Sequence, residues 1–434
     1  MGATVMRDAP LHARDLREGQ AGTATGSPRT GRRLPCRLGR YTLFDRIGRG
    51  GMADIYLARE VTDLGASRLL VVKEVAPKLA GKPEFAEMLA GEARLAARLQ
   101  HASIAQVEDL GRDEEALFIA MEYVEGLDLR ELLRRAARQR VPVPVEFSLF
   151  VVAETLRALS YAHRMGVLHR DVSPSNVLLS FEGEVKLCDF GIARAHQEVA
   201  REASGNGAVA LEEALQGKAG YMSPEHARGE VVDARADVFA AGILLWELLS
   251  GRKLYRADGF EALLELAKRA DIAPPPPLRL PDEAVLHAIT LRALEPRRDD
   301  RYGSAAEMLG DLTRYAASAN LVANPLRMGE WLREYFSEEI LAVRRSRQRA
   351  LRALDMGPPA VIEAIALPVT PTPAPVSGVQ LRARAAEAGA DAGEPTGYTP
   401  VPPSGVTTET RPPVSGSRPS LLRRALALVG MTIG

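Results

Sequence analysis

The feature that most constrains this chain is a pair of short polar motifs set in apolar sequence. The first runs from residue 167 to 176 and places Asp171 five residues before Asn176. The second starts at Asp189, thirteen residues after Asn176. Carboxylate and amide oxygens are ligands that Mg²⁺ accepts, and a carboxylate can also orient a hydroxyl group. This combined order and spacing therefore suits the binding of magnesium and phosphate groups beside a hydroxyl.

A strand, a glycine-containing turn and a second strand are predicted upstream. Residues 41–47 alternate apolar and polar side chains, and apolar residues resume after the break. Glycine has no side chain, so such a turn lets backbone N–H groups approach phosphate oxygens closely. The residues of this candidate phosphate loop are Ile47, Gly48, Arg49, Gly50, Gly51, Met52, Ala53, Asp54 and Ile55.

Together these motifs resemble the signature set of bacterial eukaryotic-like (Hanks-type) serine/threonine protein kinases. The resemblance covers roughly residues 41–315. It implies an α+β, two-lobed protein kinase fold, with a β-rich small lobe over about 41–124 and a mostly helical large lobe over about 125–315. The implied activity is transfer of the γ-phosphate of ATP, with Mg²⁺, to serine or threonine hydroxyls of protein substrates, with autophosphorylation as a further reaction.

The resemblance also implies roles for residues of the small lobe. Lys73, which lies in the apolar stretch 69–75, would pair with the α- and β-phosphates. Residues 85–99 repeat apolar side chains at a helical period, and Glu92 stands where the family's partner glutamate is expected. Glu84 and Glu87 are alternatives whose position suits ordinary interaction with the helix dipole.

The stretch 117–126 is predicted to be an apolar strand that ends in the hinge between the lobes. The resemblance implies that Met121 is the gatekeeper and that backbone groups of Glu122 and Val124 bond the adenine edge. A plain buried strand would have the same residues.

In the large lobe, the resemblance makes Asp171 the group that orients the substrate hydroxyl and makes Asn176 and Asp189 the magnesium ligands. The family usually has a lysine two residues after this aspartate, whereas this chain has Ser173. Pro174 keeps the second half of the lysine–proline pair that is typical of Ser/Thr kinases. The implied structural or regulatory positions are His169, Arg170, Phe190, Gly191, Glu225, Asp237 and Arg301.

The segment between Gly191 and Tyr221 contains one serine, Ser204, and no threonine. The resemblance implies that Arg170 grips a phosphate there. We therefore hypothesise either that Ser204 is the phosphorylated switch or that Glu212 and its neighbour Glu213 supply standing negative charge. Full activity of Ser204→Ala without phosphate in this segment would rule out the switch.

Two other classes of function remain as alternatives. A pseudokinase scaffold would bind nucleotide or partners without transferring phosphate. Such chains usually lose the lysine or an aspartate, whereas Lys73, Asp171, Asn176 and Asp189 are all present here. A membrane-tethered signalling adaptor would depend on the C-terminal segment, 421–434, whose last ten residues are uncharged. A spanning helix needs about twenty apolar residues, so we do not expect this segment to cross a bilayer.

Composition limits the partners and the compartment. The 56 basic and 56 acidic residues cancel, which gives no reason to expect nucleic acid as a partner. Cys36 and Cys188 are the two cysteines, too few for a disulfide framework, so a cytoplasmic location is expected, with membrane association through the C-terminal end as the alternative.

Four segments are predicted to flank the kinase domain. They are a disordered N-terminal arm at 1–40, a helical extension at 316–356, a flexible Pro/Ala/Ser/Thr-rich linker at 357–420 and the short apolar segment at 421–434. The extension would either pack beside the large lobe or meet a partner. Exposed hydroxyls that autophosphorylation could reach in the linker are those of Thr370, Thr372, Thr399 and Thr407.

Overall fold

The computed structural model describes residues 32–49, 53–62, 65–114, 116–190 and 219–355. Its strands are β1 (Cys36–Leu38), β2 (Tyr41–Arg49), β3 (Ala53–Val61), β4 (Ser67–Val75), β5 (Val107–Asp113), β6 (Ala116–Glu122), β7 (Gly126–Asp128), β8 (Val177–Ser180) and β9 (Val185–Leu187). Its helices are α1 (Pro77–Ala80), α2 (Pro83–Ala96), α3 (Leu129–Gln139), α4 (Val145–Arg164), α5 (Pro224–Ala227), α6 (Ala234–Ser250), α7 (Phe260–Arg269), α8 (Glu283–Ala293), α9 (Ala305–Ser318) and α10 (Pro325–Asp355).

The small lobe is built on an antiparallel sheet in the order β1-β2-β3-β4-β6-β5. The alternation read from the sequence is confirmed in β2, where Tyr41 and Leu43 are fully buried while the residues beside them are partly exposed. Those two side chains pack with Leu70, Val72 and Phe118 from the neighbouring strands. Helix α2 packs against β5, and its Leu89 and Ala93 are buried in the main core.

The N-terminal arm differs from the prediction over its last residues. Residues 36–38, expected to be disordered, form β1 and pair antiparallel with Tyr41, Thr42 and Leu43. The reason is that Leu34, Cys36 and Leu38 lie at every second position, so they share one face that can cover the sheet edge, and Leu38 is fully buried there. The prediction for residues 1–31 lies outside the described part of the chain.

The large lobe is organised around α4 and α6. Helix α6 buries a continuous run of residues from Ala236 to Leu249. Asp233 caps its N-terminus by accepting a hydrogen bond from the backbone of Arg235, and Gly251 ends it in a left-handed conformation. Because α6 is covered on every side, it forms a rigid base for the loops that lie above it.

The predicted helical extension is present as α10, which bends at Phe336. Its first half packs on the large lobe: Trp331, Leu332 and Phe336 are buried, and the Trp331 ring lies 5.6 Å from that of Phe147 on α4. Among residues 32–355, where described, no helix is long and apolar enough to span a bilayer. The predictions for the linker and for residues 421–434 lie outside the described residues.

Candidate active site

A buried carboxylate of helix α6 holds the loop that carries Asp171 through hydrogen bonds to its backbone. Asp237 on α6 accepts hydrogen bonds from the backbone N–H of His169 (2.8 Å) and of Arg170 (2.7 Å). Arg170 has a left-handed backbone (φ 63°), a strained conformation that these bonds help to maintain. The loop is therefore tied to a helix that is buried along most of its length.

A histidine that the sequence reasoning did not single out completes this anchor. His163, in the last turn of α4, lies with its Nε2 2.8 Å from Oδ2 of Asp237. Burial would raise the pKa of Asp237, but hydrogen bonding and proximity to His163 and to the loop outweigh it, so this pKa lies below its ordinary value. The signal in the sequence was a histidine six residues before His169.

The structure brings Asp171 and Asn176 together. A 3-10 turn over Pro174–Asn176 directs the amide nitrogen of Asn176 back to the loop. That nitrogen donates to the backbone oxygen of Asp171 (2.7 Å) and to its Oδ2 (3.0 Å). Because the amide nitrogen of Asn176 makes both of these hydrogen bonds, its amide oxygen is the atom of this side chain that suits a cation.

Backbone and ring contacts join this loop to the segment that carries Asp189. The N–H of Cys188 donates to the carbonyl of Asn176 (2.9 Å), and the carbonyl of Cys188 lies 2.9 Å from His169 Nε2. The ring of Phe190 packs edge-on against that of His169, with 4.6 Å between centroids. Cys188 itself is buried, which raises the pKa of its thiol. Gly191 lies outside the described residues.

Lys73 reaches the site from the small lobe and pairs with Asp189. It lies on β4 opposite Ile55 and Ile119, and its ammonium donates to both carboxylate oxygens of Asp189. Burial would lower the pKa of Lys73, but the charge of Asp189 outweighs it and the pKa is raised. The ammonium is therefore held charged between the two lobes.

The predicted partner of Lys73 differs from the one in the structure. Over the described ranges, no ion pair joins Lys73 to Glu92, which lies half-buried on α2. Instead, the buried ammonium pairs with the carboxylate of Asp189, whose backbone is left-handed (φ 66°). Glu84, one of the alternatives, is exposed in the first turn of α2.

Asn176 and Asp189 have the chemistry of a magnesium site. An amide oxygen and a carboxylate are hard oxygen ligands. Mg²⁺ usually takes only one or two ligands from the protein, while phosphates and water supply the rest. Within the part of the chain that the structure covers, no group of three or more His, Cys, Asp or Glu side chains could hold a metal by itself. The residues present therefore fit a cation that is bound together with a phosphate ligand.

The two strands of the predicted phosphate loop are described, whereas Gly50, Gly51 and Met52 at its tip are not. Gly48 pairs with Ile55, and Arg49 pairs with Asp54, across β2 and β3. A side chain at Gly48 would come within 3.1 Å of the Ile55 side chain, so glycine fits the close approach of the strands there. Ile47 is half-exposed, and Ala53 begins β3.

The hinge follows β6 without a break. Met121 is buried at the end of that strand, and Glu122 donates its backbone N–H to the carbonyl of Gln106 (2.8 Å). The carboxylate of Glu122 pairs with Lys186 (2.8 Å), and Val124 leads into β7. The peptide groups of this short connection thus lie at the junction of the two lobes.

A buried ion pair closes the far side of the large lobe. Arg301 donates to both carboxylate oxygens of Glu225 at 2.7 and 2.8 Å, and its side chain is 0 % exposed. Further hydrogen bonds run from the guanidinium to the carbonyls of Glu295, Pro296 and Arg235. Burial would raise the pKa of Glu225, but the hydrogen bond from Arg301 lowers it below its ordinary value. Ser204 and Glu212–Glu213 lie outside the described residues.

A small lobe built on an antiparallel sheet lies beside a helical large lobe, and Lys73, Asp171, Asn176 and Asp189 lie between the two lobes. This arrangement is that of a two-lobed protein kinase. Residues 41–294 match the family model described as the protein kinase domain. This chain belongs to that family, which generally uses ATP and a divalent metal.

Named relatives are similar over the same region. The tyrosine-protein kinase MasK of Myxococcus xanthus is 37% identical over 311 residues, 69% of this chain and 47% of MasK. The serine/threonine-protein kinase PknB of Mycolicibacterium smegmatis is 38% identical over 279 residues, 63% of this chain and 43% of PknB. The chain thus spans less than half the length of these relatives.

Solved structures agree with the fold. A crystal structure of a variant of the Mycobacterium tuberculosis PknI kinase domain is 29% identical, with a TM-score of 0.51. The similarity covers 66% of this chain and all of that domain.

Proposed function

We propose that this chain is a protein kinase that transfers the γ-phosphate of ATP to serine or threonine hydroxyls of proteins, including its own. The observation that carries the proposal is the convergence of Lys73 and Asp189 with the pair formed by Asp171 and Asn176. A pseudokinase would not need all four groups, and nothing in the comparisons favours that alternative.

In the proposed reaction the hydroxyl oxygen of the substrate attacks the γ-phosphorus of ATP. The bond from that phosphorus to the β–γ bridging oxygen breaks, and ADP leaves with the electron pair. Asp171 orients the hydroxyl and accepts its proton, while the hydrogen bond from Asn176 holds that carboxylate in position. Lys73 supplies positive charge for the α- and β-phosphates.

Asn176 and Asp189 are the proposed magnesium ligands. These two side chains would hold a metal that supplies positive charge to offset the negative charge of the phosphates. Because Asp189 also pairs with Lys73, the two groups hold each other between the two lobes. The hinge backbone at Glu122 and Val124, and the loop from Ile47 to Ile55, are proposed to bind the adenine and phosphate portions.

The hydroxyl class is proposed from local sequence. Pro174 follows Ser173 in the catalytic loop, as a proline does in Ser/Thr kinases, and PknB is named a serine/threonine kinase. MasK is named a tyrosine kinase, which makes tyrosine the competing acceptor. A cytoplasmic location, where ATP and reduced cysteines are both found, is part of the same proposal.

The test is transfer of labelled γ-phosphate to the chain itself and to a generic basic protein. We expect label to appear with MgATP, to be absent when EDTA removes the metal, and to be lost in Lys73→Met. Nucleotide binding by the wild type without any transfer under these conditions would instead favour the scaffold.

A further inference from the structure

The second half of α10 crosses the hinge and contacts both lobes. Its first half is fixed to the large lobe, where Gly183 in the β8–β9 turn lies so close to Pro325 and Gly329 that a side chain there would overlap their backbone atoms. At the other end, Asp355 pairs with Arg59 on β3 of the small lobe. One continuous piece of chain therefore spans the junction about which the lobes can move.

Between these ends, two arginines of α10 bind the hinge itself. Arg347 Nη1 lies 2.9 Å from Oε1 of Glu125, and Arg344 Nε donates to the same oxygen at 3.1 Å. The Arg347 guanidinium also lies over the ring of Tyr123, 5.8 Å from its centroid. Val124, whose peptide is proposed to bond adenine, stands between these two contacted residues.

The same face of α10 is also tied to the large lobe just below the hinge. Arg344 donates to Glu182 at 3.0 Å, and Arg333 contacts the other oxygen of that carboxylate at 3.0 Å. Glu125 and Glu182 thus share three arginines of one helix, and the backbone carbonyl of Glu125 accepts from Phe181 at 2.9 Å. The hinge is braced from outside the cleft by charge as well as by main-chain bonds.

We propose that Arg344 and Arg347 are positioning residues for nucleotide binding, acting through Glu125 and Tyr123 to hold the hinge backbone in its binding conformation. Recognition through peptide groups requires that those groups keep a fixed direction, and a preorganised site loses less conformational entropy when a ligand binds. Kinases close about this junction, so a helix that joins both lobes restrains that motion as well. This inference rests on the proposed function.

Helix α10 provides its own control. Arg344 and Arg347 are three residues apart and share a face, while Arg345 and Arg349 are exposed, four residues apart, and lie on nearly the opposite side of the helix. Within the described residues, no ion pair or hydrogen bond involves the side chain of Arg345 or Arg349. Removing either pair changes the charge of the chain equally, but only the first pair touches the hinge.

The experiment measures the Kd of a fluorescent ATP analogue for the full chain. We expect Arg344→Ala/Arg347→Ala to raise Kd and the KM for ATP about 3- to 10-fold, the size expected for partly exposed ion pairs, with kcat within about twofold. Arg345→Ala/Arg349→Ala should bind like the wild type. Arg344→Lys/Arg347→Lys should recover part of the affinity, because lysine keeps the charge but not the fork of donors.

Equal Kd values for the two alanine variants would overturn the proposal, as would a fall in kcat without a change in Kd. Should the hinge-facing alanine variant fail to fold, Arg347→Ala alone and the lysine variant provide the same comparison. Failure of the proposed function looks different, since the wild type would then bind nucleotide without transferring phosphate. A wild type that binds no nucleotide would overturn both.

Discussion

Replacing Asp171 with asparagine should lower the rate of phosphate transfer by about 10²- to 10⁴-fold, the usual contribution of a positioned acid or base. Asparagine has nearly the same shape and can still accept the hydrogen bond that Asn176 donates at 3.0 Å, so the loop should keep its conformation. What is lost is the charge that orients the hydroxyl and takes its proton. The measurement is kcat with MgATP, together with the Kd for nucleotide.

The nucleotide affinity of this variant should stay within about twofold of the wild type, because Lys73, Asp189 and the hinge are untouched. Asp271→Asn is a suitable control, since Asp271 is an exposed carboxylate of the large lobe away from the site. A fall in rate of less than about tenfold would mean that Asp171 is not the acting carboxylate.

Replacing Arg301 with alanine should cost about 3–5 kcal/mol of folding stability, the effect of leaving a buried charge without its partner. Glu225 is 4 % exposed in its side chain, so water cannot take the place of the guanidinium. The free energy of unfolding by urea measures the loss. Arg297→Ala is the matched control, because Arg297 is 82 % exposed and its ion pair with Asp300 should contribute at most about 1 kcal/mol.

A second substitution separates charge from packing. In Arg301→Ala/Glu225→Gln the stranded charge is gone, so this double variant should be more stable than Arg301→Ala alone. If it is not, the pair acts through packing rather than through its charge.

The stability that this pair gives should also depend on pH. The folded-state pKa of Glu225 lies below the ordinary 4.5, so the contribution is complete above pH 4.5 and is lost as pH falls through the folded value. The gap between the wild type and Arg301→Ala should therefore narrow in acid.

Local pattern explains what the sequence could predict. The alternation in β2, the apolar run of α6 and the spacing from Asp171 to Asn176 are properties of neighbouring residues, and each is found in the structure. The Glu225–Arg301 pair joins residues 76 positions apart, and it was implied only by the resemblance to the family. Strand β1 had a local signal in its alternating apolar residues, but three residues become a strand only when a sheet edge is there to receive them.

The rest depended on geometry between distant segments. Whether Lys73 meets Glu92 or Asp189 is decided by the relative placement of α2, β4 and the left-handed turn at Asp189. The course of α10 across the hinge was equally hidden, because the arginine-rich pattern of 344–352 indicates a helix without indicating the carboxylates it faces. His163 gained its meaning only from its contact with Asp237.

The measurement that tests the central claim most directly is identification of the phosphorylated amino acids after incubation of the wild type with labelled MgATP. We expect phosphoserine or phosphothreonine, on the chain itself or on an added protein, and neither in Asp171→Asn. Phosphotyrosine alone would contradict the proposed hydroxyl class, and the absence of any labelled amino acid from a chain that still binds nucleotide would contradict the proposed transfer.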